Sequence, residues 1–121
     1  EDGFREIERA ALHSVTENGD NLLISCGGGT PCFFDNMEWM NAHGETIYLD
    51  LSAARLTIRL RNAKTERPLL KTIKGDLQIW IHQKLLERAQ YYGIAKHIVP
   101  ENDAHKHFIR DLILNIQRQT A

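Results

Sequence analysis

Apolar positions recur at helical spacing in the opening segment. Phe4, Ile7, Ala11 and Val15 fall at i, i+3, i+7 and i+11, one stripe of a 3.6-residue period. This predicts a helix from Phe4 to Glu17, ended by Asn18-Gly19-Asp20 with Gly19 just past the last turn. The pattern then changes. Leu22-Leu23-Ile24-Ser25-Cys26 is a short continuous apolar run, the kind carried by strands buried on both faces of a parallel sheet, and Gly27-Gly28-Gly29 follows at once. Asp35, with Glu38 three residues on, reads as a capping box for a helix through Met37, Trp39 and Met40 to about His43, stopped by Gly44. Thr46-Ile47-Tyr48-Leu49-Asp50-Leu51 reads as a second strand, and Ser52 as the cap of a helix carrying Leu56, Ile58 and Leu60. The periodicity loosens from Asn62, and Pro68 prevents regular helix, so residues about 62 to 75 read as a polar, basic loop. A long helix resumes from Asp76 through Ile79, Ile81, Leu85 and Leu86 to about Tyr92. His97-Ile98-Val99-Pro100 is a weak third strand, and Asn102 or Asp103 caps a last amphipathic helix with Phe108, Ile109, Leu112, Ile113 and Ile116.

Alternation of this kind predicts an α/β fold, a parallel sheet with helices on both faces, within a single domain spanning residues 1–121. Three strands make a thin sheet, and a parallel sheet that opens on a helix lacks the strand that feeds it. The sequence therefore reads as a domain without its front end. Lys and Arg number 15 against 16 Asp and Glu, a net charge of −1, which argues against a bulk electrostatic hold on nucleic acid or an anionic membrane. With 42% apolar and 26% charged residues the composition is that of an ordinary globular protein. No run approaches the roughly 18 apolar residues of a membrane-spanning helix. Cys26 and Cys32 are too few for a disulfide scaffold and are expected as free, packed thiols in a reducing compartment, the cytoplasm.

In open parallel sheets ligands bind beyond the carboxyl ends of the strands, where Gly27-Gly28-Gly29 is expected. Without side chains the backbone can approach a ligand closely; the alternative is a tight strand-to-loop turn, for which one glycine suffices. Arg5 stands in the first turn of its helix, where a cation opposes the helix dipole, and Glu8 three residues on can hold its guanidinium. That pair is either a solvated ion pair of little value or a bidentate grip on a carboxylate. Arg67-Pro68 lies in the basic loop with Arg59, Arg61, Lys64, Lys71 and Lys74 nearby, a composition suited to a mobile lid over phosphates or to an ordinary basic loop. Arg88, near a helix C-terminus, is dipole-favoured and signals nothing by itself. His105-Lys106-His107 places two histidines on different helical directions with no Cys or acidic ligand set beside them, so no metal is expected there. Trp39, Trp80, Tyr91 and Tyr92 read as core or subsite packing. Nowhere does the chain carry G-x-x-x-x-G-K-[ST].

Phe4-Arg5-x-x-Glu8, then Gly27-Gly28-Gly29 after an apolar run, then Arg67-Pro68-Leu69-Leu70, then Glu87-Arg88-Ala89 with Tyr92, resemble in order and separation the shikimate kinase family. The resemblance covers essentially all 121 residues. It implies a three-layer α/β/α P-loop kinase of the nucleoside-monophosphate-kinase type, here without its first strands. Such an enzyme transfers the γ-phosphoryl of ATP, with Mg²⁺, to the 3-hydroxyl of shikimate in aromatic amino-acid biosynthesis. Arg5 matches the arginine that grips the shikimate carboxylate and Glu8 the acid that supports it. The glycine run, Gly28 in particular, matches the backbone wall of the substrate site. Arg88 matches the second carboxylate arginine, and Arg67 the lid arginine that closes over the ATP phosphates.

The chain departs from the family pattern at Cys26, where threonine is usual, and at Gln90, where proline is usual. The family's P-loop and its substrate-binding aspartate fall before Glu1, and the resemblance puts the P-loop strand between the Leu22–Cys26 and Thr46–Leu51 strands. The intact protein is accordingly expected to carry about 50 more N-terminal residues and to be a monomer. Residues 1–121 alone are expected to lack ATP-dependent activity and to be poorly stable. A gluconate-kinase-like P-loop kinase, or a non-catalytic ligand-binding fragment, are the alternatives.

Overall fold

In the computed structural model, residues 2–17, 21–62 and 75–120 are described. The basic loop expected at about 62 to 75, with Arg67, and the Asn18-Gly19-Asp20 stop lie almost wholly outside them. Helix α1 is Asp2–Glu17, a 3₁₀ turn spans Thr30–Cys32, and α2 is Asn36–His43. Strand β1, Ile47–Asp50, leads into α3, Ala53–Arg61. Helix α4 is Leu77–Tyr92, strand β2 is His97–Pro100, a second 3₁₀ turn spans Glu101–Asp103, and α5 is Lys106–Thr120.

The two strands pair in parallel, Ile47 opposite His97 through Asp50 opposite Pro100. Parallel strands cannot be joined by a tight turn, and the chain between them contributes α3 and α4, which pack on one another. Leu51, Val99 and Ala104 form a buried cluster that includes β2 itself, with Ile47, Leu56 and Leu112 packed around them. Local chemistry sets several boundaries. The Ser52 hydroxyl accepts from the Arg55 amide at 3.2 Å, capping as expected, and the Asp76 carboxylate accepts from the Ile79 amide at 3.1 Å, so Asp76 is the cap of the helix expected to resume there and not its first residue.

Four expectations need correction. The run Leu22–Cys26 is not a strand: it joins no ladder among the described residues, and Leu23 is 81% exposed. Apolar character supplies a reason to be buried, but a strand also needs a neighbour for its N–H and C=O groups. The α1 stripe Phe4, Ile7, Ala11 and Val15 is exposed. The opposite face packs inward, with Leu12 buried and Arg5, Glu8, His13 and Thr16 half-buried. Asp35 stands at the N-cap of α2, but its carboxylate is turned to Arg9 at 3.2 Å and makes no side-chain cap. Finally, Asn102 and Asp103 belong to the second 3₁₀ turn, and α5 starts later. There His105 Nδ1 accepts from the Phe108 amide at 3.2 Å and serves as the cap.

Candidate active site

The glycine run turns directly into the first 3₁₀ turn. The Thr30 amide donates to the Gly27 carbonyl at 3.1 Å and the Cys32 amide to the Gly29 carbonyl at 3.0 Å, with Pro31 fixing the turn's entry. This folds the backbone of Gly28 and Gly29 into a wall facing two helices. From α1 comes Arg5: a Cβ on Gly29 would lie 2.8 Å from its Nη2 and 2.9 Å from its Nη1. From α4 comes Arg88: a Cβ on Gly28 would lie 2.8 Å from its Nη1. Any other residue at either position would displace a guanidinium group. Glycine is required here for close approach and not for an unusual φ, since Gly29 sits at φ −87°. Gly27 differs, with only the Thr30 hydroxyl, 3.5 Å away, in front of it.

Each arginine is held in place. Arg5 Nη1 donates to Glu8 Oε1 at 2.9 Å within a pair whose side chains are largely shielded from water. Its guanidinium lies over the Phe33 ring at 4.1 Å and over the Phe4 ring at 5.1 Å. The other Glu8 oxygen, Oε2, accepts from the Thr30 hydroxyl at 2.9 Å. Arg88 Nη1 donates to the Tyr92 hydroxyl at 3.4 Å, and that hydroxyl in turn donates to the Gly28 carbonyl. Burial pushes the Tyr92 phenol above its ordinary value against the opposing pull of Arg88, so at neutral pH it keeps the proton it donates. The Tyr92 ring leans on Tyr48, centroids 5.0 Å apart, which ties the site to β1.

The structure thus gathers Arg5, Glu8, Gly28, Gly29 and Arg88 at one place, with Gly27 at its margin. Three further residues escaped the sequence reading: Thr30, Phe33 and Asn36, which is fully buried and donates from Nδ2 to the Thr30 carbonyl at 2.9 Å. Thr30 reaches across 22 positions to Glu8, and no local spacing rule could have found that pair. The cysteines also differ from expectation. Both are free, but Cys26 is exposed, its sulfur 3.7 Å from that of Met40. Cys32 is half-buried, and burial raises its thiol pKa against the lowering influence of Arg88 and Arg5, which favours the neutral thiol. Among the described residues no three His, Cys, Asp or Glu side chains converge to hold a metal ion. None of their helices is long and apolar enough to cross a membrane.

Chemically, two guanidinium groups converge at adjacent glycines, whose missing side chains let both lie against the backbone. Such an arrangement suits a small carboxylate, which guanidinium groups bind through paired charge-assisted hydrogen bonds.

Comparison with known proteins gives a consistent result. The family described as shikimate kinase matches residues 1–117. A shikimate kinase of Phocaeicola vulgatus is 52% identical over 100 residues, covering 81% of this chain and 56% of its own length. One from Parabacteroides distasonis is 46% identical over 112 residues, covering 87% and 64%. The crystal structure of shikimate kinase from Bacteroides thetaiotaomicron superposes with a TM-score of 0.83 at 40% identity, covering 99% of this chain and 69% of that one. The chain therefore spans between a half and two thirds of the length of these curated relatives.

Proposed function

The chain belongs to the shikimate kinase family, and from that premise we propose that it provides the acceptor-binding part of an enzyme that transfers the γ-phosphoryl of ATP to the 3-hydroxyl of shikimate. The single observation that carries this reading is the meeting of Arg5 and Arg88, from helices far apart in sequence, at adjacent glycines. Shikimate is a compact ring bearing one carboxylate and three hydroxyls. The two arginines take the carboxylate; Gly28 and Gly29 leave room for both guanidinium groups to approach side by side, and Glu8 and Tyr92 keep them from swinging away. Phosphoryl transfer depends chiefly on positioning and charge neutralisation, and an acceptor anchored by its carboxylate presents its 3-hydroxyl in one orientation.

The phosphate side is assigned to Arg67, which lies outside the described residues, as a cation for the ATP phosphates. Mg²⁺ belongs to the chemistry of such a transfer, where it neutralises phosphate charge; the described residues offer no ligand cluster for it. The test is calorimetric titration of the chain with shikimate and, in parallel, gluconate, followed by phosphoryl-transfer assays with ATP on the protein that carries it. Preferential binding and phosphorylation of shikimate is the expected result. Equal preference for gluconate would remove the substrate assignment.

A further inference from the structure

We propose that Thr30 is a positioning residue for the carboxylate grip, acting through Glu8 on Arg5, and that Asn36 anchors it; the inference rests on the shikimate reading above. An Arg–Glu pair three residues apart on a helix is by itself loose, since both side chains have several rotamers and the carboxylate can rotate about its last bond. Here that rotation is stopped. Glu8 Oε1 accepts from Arg5 while Oε2 accepts from Thr30, each at 2.9 Å. Thr30 is only 5% exposed, so its hydroxyl has little water to turn to, and a hydroxyl donating to a carboxylate makes one of the stronger hydrogen bonds available to a neutral side chain. Its β-branch further limits χ1, so the donor is aimed before a ligand arrives.

The turn that carries Thr30 is itself closed. The buried Asn36 side chain donates to the Thr30 carbonyl at 2.9 Å, and the Asn36 amide to the Phe33 carbonyl at 3.2 Å. Phe33, inside the same turn, covers the guanidinium at 4.1 Å. The segment from Thr30 to Asn36 therefore fixes Arg5 in two ways, along its edge through Glu8 and over its face through Phe33. The consequence is selective: the relay orients the group that meets the ligand's carboxylate, so losing it weakens carboxylate ligands and leaves an uncharged analogue alone.

The experiment titrates the full-length protein that carries this chain, and its T30V and T30S variants, with shikimate and with the methyl ester of shikimate, alongside thermal melts. Thr30→Val keeps the shape and deletes the donor; Thr30→Ser keeps the donor. T30V is expected to bind shikimate about tenfold more weakly, T30S within about twofold of the unsubstituted protein, and the ester with one affinity across all three. Unchanged shikimate affinity in T30V overturns the relay, as does T30S behaving like T30V. Equal loss for shikimate and ester overturns it too, because that pattern marks a purely structural role. If T30V does not melt cooperatively, Thr30→Ala, which deletes the hydroxyl without placing a methyl against Glu8, supplies the same comparison. An unsubstituted protein that fails to prefer shikimate over its ester refutes the substrate reading itself, an outcome visible before any variant is made.

Discussion

Replacing Gly29 by alanine tests the glycine wall directly. The new Cβ would stand 2.8, 2.9 and 3.1 Å from Nη2, Nη1 and Cζ of Arg5, where ordinary contact begins near 3.4 Å. The guanidinium must retreat by about half an ångström, and it can, because it is the end of a flexible side chain. The backbone has no reason to object, since Gly29 lies at φ −87°, ψ −17°, a conformation alanine adopts freely. Fold stability should therefore hold or rise by up to about 1 kcal/mol from the stiffer unfolded chain. The cost falls on the site: the Arg5–Glu8 bond at 2.9 Å and the contact with Phe33 cannot both survive the shift, and shikimate affinity should drop about tenfold, roughly 1.4 kcal/mol. Calorimetric titration of G29A, R5A and the double variant is the assay. With the guanidinium gone, the added methyl has nothing to push, so in the R5A background the G29A change should cost almost no affinity, a coupling close to the whole single-variant effect. Full-strength binding by G29A, or the same loss with and without Arg5, would refute the reasoning.

Other consequences lie outside the glycine wall. Val99→Ala empties a position 1% exposed between Leu51 and Ala104 and should cost about 2 kcal/mol in denaturant unfolding while leaving shikimate affinity unchanged; an affinity loss as large as the stability loss would contradict the separation of core and site. The Tyr48 phenol is pushed up to about 12, first by burial and then by Asp50. A raised folded-state pKa means stability that is complete below the unfolded value near 10 and lost as pH rises through the folded value. Tyr48→Phe should flatten the alkaline fall in unfolding midpoint between those limits, and an unaltered pH profile would remove Tyr48 as its source.

What the sequence discloses depends on the range of the interaction. Ser52 and Asp76 cap through bonds three residues long, and both helix starts were legible from spacing. The Arg5–Glu8 pair is equally local. Its orientation was not legible, because the periodicity of α1 marks an apolar stripe that is exposed, while the face that packs inward carries Arg5 and Glu8. The Leu22–Cys26 run failed for a related reason: hydrophobicity reports a preference for burial, and strand pairing is decided by a neighbour. Arg88 and Tyr92 meet Gly28 from a helix so distant in the chain, 64 positions between Tyr92 and Gly28, that only the family signature, and no periodicity, linked them. Thr30 and Asn36 belong to neither class. They are small polar residues whose role emerges only once α1, the turn and α2 are packed together.

The charges at the site also narrow what it can hold. Arg5 and Arg88 bring two positive charges, and Glu8 removes one of them at a distance of 2.9 Å. The Cys32 thiol, raised by burial, and the Tyr92 phenol, raised likewise, contribute none at neutral pH. Glu8 therefore lowers the positive charge that the two guanidinium groups bring together, and a carboxylate ligand, as proposed above, would answer the Arg88 side of the pair. On the proposed reading, an acid placed here weakens the pull that two bare arginines would exert on more highly charged anions. Both oxygens of this acid are taken by the protein, one by Arg5 and one by Thr30, so Glu8 acts on a ligand through Arg5 and not by direct contact in the proposed site.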